Sequence, residues 1–229
     1  MSHMSIRQVI LLFSCLMSFC VFPAFSQERL VPVGRSSSYD ERLIGRERIK
    51  FAFLIRPSFD SEACLFFSDE TKELVLREAV KSIRYSKEWD SSSRASKKRR
   101  DPNNDIAFEE YRCPLSARIS EKLDSLFMSA VFSSSLMSDS WGLDGTIFEL
   151  RAFWGHYAAS CWSPKQDTSN CSRLICALKA LCGFVKEDNI NGIEELVHEI
   201  DALTAIFTDL LPQGGRIVDP ETGFVYESR

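Results

Sequence analysis

Hydrophobic and polar positions repeat with a period of two through most of the first half of the mature chain and with spacings of three and four through most of the second. Arg48 to Ile55 is β-branched and aromatic with partial alternation and is closed by Pro57, which predicts a strand; Ala63 to Phe67 predicts a second. Lys72 to Tyr85 satisfies two templates. Val75, Leu76, Ala79, Val80 and Ile83 fall at helical spacing, yet the polar turn Ser68-Asp69-Glu70-Thr71 sets the stretch up as the return strand of a hairpin with Ala63–Phe67. The hairpin reading is narrowly preferred, and the helix stays open. Ile106 to Cys113 predicts a further strand stopped by Pro114. Ser116 then offers an N-cap to a helix running to about Phe132, with Ile119, Leu123, Leu126, Phe127, Ala130 and Val131 on one face.

Beyond Asp144-Gly145, strands over Thr146–Phe153 and Tyr157–Trp162 are joined through Trp154-Gly155-His156, which predicts a β-hairpin. Leu174, Ile175, Leu178, Leu181, Cys182 and Val185 mark a helix from about Ser172 to Lys186. A capping-box pattern at Asn191-Gly192-Ile193-Glu194 opens another, which runs through Leu210 to Pro212. Residues 213–229 form a tail whose D-P-E-T-G turn allows a small hairpin or a loose end. Strands come mostly first and helices mostly last, without β-α-β alternation. The expected class is therefore α+β, an antiparallel sheet of about four to six strands with about three helices packed on one face.

The N-terminus changes the domain plan. Arg7 precedes an apolar run from Val9 to Phe22, then Pro23 and the small-x-small site Ala24-Phe25-Ser26, the pattern of a cleavable secretory signal over residues 1–26. Residues 27–46 read as a flexible leader, residues 47–212 as a single α+β domain, and 90–105, which holds no large apolar side chain, as a mobile loop. No segment after the signal is apolar enough to span a bilayer. The expected location is periplasmic or secreted.

Charge and cysteines follow from that plan. The net charge of -4 becomes -5 once Arg7 leaves with the signal, and an acidic chain argues against nucleic acid as a partner, leaving Lys97-Lys98-Arg99-Arg100 as a solvated loop. Six of the eight cysteines remain in the mature part: Cys64, Cys113, Cys161, Cys171, Cys176 and Cys182. An even number in an oxidising compartment permits bridges. Cys161 with Cys171 is the favoured pair, closing a polar loop, and the sequence does not choose among the others. No C-x-x-C occurs and His156 and His198 sit at no ligand-like spacing, so neither metal nor cofactor is expected.

The only cluster that suggests catalysis is Asp144, His156, Cys161 and Ser163. A hairpin holds His156 about 20 Å from the others at 3.3 Å per residue, so no catalytic residue is assigned. Trp141, Phe148, Phe153, Trp154, Tyr157 and Trp162 concentrate around the hairpin, and alternation buries only one face. Phe153, Trp154 and His156 near its tip are the candidate binding residues for a protein partner. The expected function is an exported, non-enzymatic binding or inhibitor-type protein; the alternative is an envelope hydrolase with a site assembled from distant residues.

The segments Arg56-Pro57-Ser58-Phe59, Ser82-Ile83-Arg84-Tyr85-Ser86, Gly142-Leu143-Asp144-Gly145-Thr146 and Trp162-Ser163-Pro164 resemble those of a loose group of uncharacterised bacterial proteins with a G-L-D-G-T…W-S-P pattern. The resemblance covers Phe51 to Lys186. It implies the strand and hairpin assignments, including a strand within Lys72–Tyr85, and carries no activity, partner or catalytic residue.

Overall fold

The computed structural model describes residues 30–33, 42–83, 107–135, 145–163, 169–211, 216–218 and 225–227. The expected signal peptide over 1–26, the expected mobile loop over 90–105, Trp141 and Asp144 lie outside them. The α+β class is as expected, with an antiparallel sheet of seven strands, slightly more than the range inferred from the sequence.

Strands β1 (Val31–Val33), β2 (Ile49–Pro57), β3 (Ala63–Ser68), β4 (Glu73–Ala79), β5 (Phe108–Pro114), β6 (Thr146–Ala152) and β7 (Tyr157–Trp162) lie in the order β1-β7-β6-β2-β3-β4-β5. The meander β2 to β5 is joined to the β6–β7 hairpin by helix α1 (Ala117–Phe132), which brings β6 back against β2. Helices α2 (Asn170–Lys186), α3 (Ile190–Glu195) and α4 (Val197–Asp209) follow, then a separate antiparallel pair, β8 (Arg216–Val218) and β9 (Val225–Glu227). The ambiguous stretch forms the strand β4, in register with β3 from Ala63↔Glu78 to Ser68↔Glu73.

Period two gives the sheet two different faces. On one, Phe51, Phe53, Leu65, Phe67, Leu74, Leu76, Cys113, Phe148, Leu150 and Ala159 meet the buried faces of the helices in a single core. Helix α1 packs on β2, β6 and β7, α2 packs on β4 and β5, and α4 lies across α1. Ser116 caps α1 as the sequence suggests, its hydroxyl accepting from Ile119 N at 3.4 Å.

On the other face a smaller apolar strip of Ile49, Ala52, Leu54, Cys64, Phe66, Val75 and Ala79 is covered by Leu43, Ile44 and Ile83. Charges flank the strip on both sides. Glu149 accepts from Arg56 and, at 2.8 Å, from Arg151, with Glu149 only 4% and Arg151 5% exposed. Beyond β3, Arg77 and Arg112 bind Glu47, Glu73 and Glu110. Pairing offsets the heavy desolvation cost of burying such groups.

Two boundaries need correction. Residues 27–46 are not wholly a flexible leader: Val31–Val33 pair with β7 (Val31↔Ser160 to Val33↔Ala158), Leu30 is 2% exposed, and Leu43 and Ile44 cover the second face. Three extended residues suffice to close a sheet edge when a buried leucine precedes them. The last long helix is two helices that meet at Leu196, and its cap is Asn189, two residues ahead of the expected Asn191, accepting from Gly192 N at 3.0 Å. Gly192 is required here by close approach, since a Cβ would lie 2.6 Å from Phe184 Cδ1.

Leu30→Ala should lower the unfolding free energy by about 2–5 kcal/mol in urea titrations, the cost of emptying a core leucine site. A flexible leader would leave the midpoint unchanged.

Candidate functional site

The β6–β7 hairpin closes with a turn that its residue types disfavour. Strand β6 ends at Ala152, paired with Tyr157, so Phe153 belongs to the turn and not to the strand as expected. Phe153 (φ 51), Trp154 (φ 62) and Gly155 (φ 76) are all left-handed. Gly155 N donates to Ala152 O and His156 N to Phe153 O, each at 3.1 Å. Two consecutive positive-φ residues match the right-handed twist of the flanking strands, which is why Asn and Gly are the usual occupants. A side chain in this region costs roughly 1–2 kcal/mol, and bulky aromatics have no local hydrogen bond to offset it.

The tip is nonetheless held firmly. Trp154 N donates to Lys50 O at 3.2 Å, tying the turn to the start of β2. The Arg48 guanidinium carbon stands 4.4 Å from the Trp154 ring centroid, a cation–π contact, and Arg48 also pairs with Asp69 at 4.0 Å. Phe153 lies 6.1 Å from His156 and 6.0 Å from Tyr157, whose ring is in turn 5.0 Å from Phe132 at the end of α1. A short aromatic series therefore links the helix to the tip. At its outer end Phe153 remains 49% and Trp154 37% exposed, and His156 is exposed beside them.

The structure thus gathers Phe153, Trp154 and His156 at one exposed hairpin tip. Arg48 and Tyr157 belong to it as well. Tyr157 was legible only as part of the aromatic concentration, and Arg48 carried no signal, because its approach to Trp154 depends on the β2–β6 register. Among the described residues, the members of the possible catalytic cluster stand at opposite ends of β7, His156 at its start and Cys161 and Ser163 at its end. Ser163, at the opposite end of β7 from His156, uses its hydroxyl on Thr146, accepting from N at 2.6 Å and donating to O at 3.3 Å. Asp144 lies outside the described residues.

The cysteines correct a second expectation. No two of Cys64, Cys113, Cys161, Cys171, Cys176 and Cys182 form a disulfide, the favoured Cys161 and Cys171 included. The sheet itself separates some of them. Cys64 lies in the strip beneath Leu43 and Ile44, whereas Cys113, Cys161 and Cys171 lie in the helix-side core and Cys176 is exposed on α2. Within the core these thiols pack as small hydrophobes. Burial pushes the Cys64 thiol far above its usual range against the opposing pull of Arg151; it raises Cys113, with Asp188 and Glu73 adding to the effect. Cys182 is pushed up to about 12, by burial first and then by Glu78.

No family model, curated protein or solved structure matches the chain.

Phe153→Asn should raise stability by about 1 kcal/mol, because Asn tolerates the left-handed region and the half-exposed ring contributes little burial; a higher urea midpoint checks this, and a lower one contradicts the strain. The thiols give a signed pH dependence. Their folded-state pKa values are raised, so the stability they contribute is complete below about pH 9, the ordinary thiol value, and is lost as pH rises from there towards 12, where only the unfolded chain readily forms thiolates. Replacing Cys64 and Cys182 by Ala should flatten the fall of the urea midpoint between these limits.

Proposed function

We propose that the chain is exported to the periplasm or beyond and acts as a non-enzymatic binding protein, of partner or inhibitor type, that engages another protein through Phe153 and Trp154. The observation that carries the reading is the pair of large aromatics side by side in left-handed backbone at an exposed tip. Folding alone favours Asn or Gly there, so these side chains lower stability while leaving much of their area in water. Residues held at such a cost gather where a protein meets its ligand.

The composition supports the same reading. Trp, Tyr and Arg dominate binding hot spots, and here Arg48 stands over Trp154 while Tyr157 lies beside Phe153. The anchoring of the turn to Lys50 means that little freedom is lost on docking. Export rests on the sequence pattern of residues 1–26. Buried thiols are compatible with it, since a thiol shielded in a core is not presented to an oxidant.

The test is retention of proteins from a native envelope fraction on the immobilised mature chain, beside a Phe153→Asn/Trp154→Gly variant shown by circular dichroism to be folded. A partner held by the wild type should be held at least about thirtyfold more weakly by the variant, the loss of one strong hot spot. Equal recovery on both would remove the tip from the account. The intact mass of the cellular product should begin at Gln27, and a product retaining Met1 would contradict export.

A further inference from the structure

The second face of the sheet is covered in part by residues 42–47, and what holds this segment differs in kind from what holds the strands beneath it. Among the described residues, no backbone hydrogen bond joins 42–47 to a strand; the first such bond downstream is Asp69 N to Arg48 O at 2.9 Å. The segment is held by side chains. Arg77 Nη1 donates to the carbonyls of Leu43 at 3.2 Å and Ile44 at 2.6 Å. Glu47 accepts from Arg112 Nη2 at 2.8 Å and Arg77 Nη2 at 3.4 Å. Glu110 and Glu73 fix the two arginines, with Arg77 Nε to Glu110 at 2.9 Å, Arg112 Nε to Glu110 at 2.7 Å and Arg112 Nη1 to Glu73 at 3.1 Å.

Gly45 makes the approach possible. It has φ +79, and a Cβ there would stand 2.7 Å from Arg77 Nη1. Beneath the segment Leu43 is fully buried and Ile44 nearly so, over the strip that holds Leu54, Phe66 and Val75.

We infer that residues 42–47 form a latch, tied to the sheet through Arg77, that opens as a unit while the helix-side core stays folded. Releasing it breaks the bonds to Arg77 and Arg112 and the contacts of Leu43 and Ile44, but no rung of the strand ladder. Such a segment belongs to the low-stability end of a fold, where opening is local and precedes global unfolding. Opening uncovers an apolar strip between two charged flanks. The latch is independent of the hairpin tip, and either can fail without the other.

The test compares thiols on opposite faces of the sheet. Leu43→Cys places a reporter in the latch, and Cys113, buried in the helix-side core, reports global opening. Iodoacetamide labelling of the folded full chain is followed by peptide mass, with each thiol normalised to its rate in urea. The introduced thiol should react at least tenfold faster than Cys113, and adding Arg77→Lys should accelerate it several-fold further with Cys113 unchanged. One common rate at both positions, rising together with Arg77→Lys, would overturn the latch. A second arm leaves Leu43 intact: Glu47→Gln should speed tryptic cleavage after Arg46 several-fold without shifting the urea midpoint, and equal cleavage of the two chains would likewise overturn it.

Discussion

The stacking of Phe51 on Phe127, with ring centroids 4.6 Å apart, is the contact around which the molecule is assembled. Phe51 also stacks on Phe67 at 5.6 Å, so a single ring joins β2, β3 and α1. An aromatic pair contributes about 0.5–1.5 kcal/mol beyond its area burial, but position matters more here. It fixes α1 over the middle of the sheet. From there the helix returns the chain to the β6–β7 hairpin, and its last residue, Phe132, supports Tyr157 below the tip.

The two faces of the sheet divide the labour. The helix face is a continuous apolar surface that secures the fold. The opposite face keeps only a strip of apolar residues and surrounds it with two ion networks, so its covering depends on geometry as well as on burial. Arg77 shows the difference, since its guanidinium satisfies two backbone carbonyls that no strand reaches. The thiols follow the same division: Cys64 lies on the second face, and Cys113 in the helix-side core.

Most of the helix-side architecture was legible in the sequence because its signals are local. The apolar face of α1, its Ser116 cap and the β6–β7 pairing each follow from residues within one element or two neighbouring ones. The strand β4 was harder. Val75, Leu76 and Ala79 fit a helix as well as a strand, and pairing with β3 decided the matter. What escaped depends on long-range partners. Nothing in Leu30-Val31-Pro32-Val33 announces an edge strand until β7 is in place, and nothing in Arg42-Leu43-Ile44-Gly45 announces a cover until Arg77 is known to face it. The disulfide expectation failed because an even count states only what is permitted: the sheet sets Cys64 apart, and Cys161 and Cys171 share the helix-side core without a bridge. At the candidate site the aromatic tip was visible, but its left-handed backbone was not, because Phe and Trp are among the last residues expected there.

That backbone is the basis of the functional reading, and it can be observed directly in solution. In NMR spectra of the folded chain, Phe153 and Trp154 should each show the strong intraresidue amide-to-α-proton NOE of a positive φ, persisting in the free protein. Weak intraresidue NOEs with extended-strand chemical shifts at both residues would mean that the turn is relaxed, and the argument from strain to binding would fail.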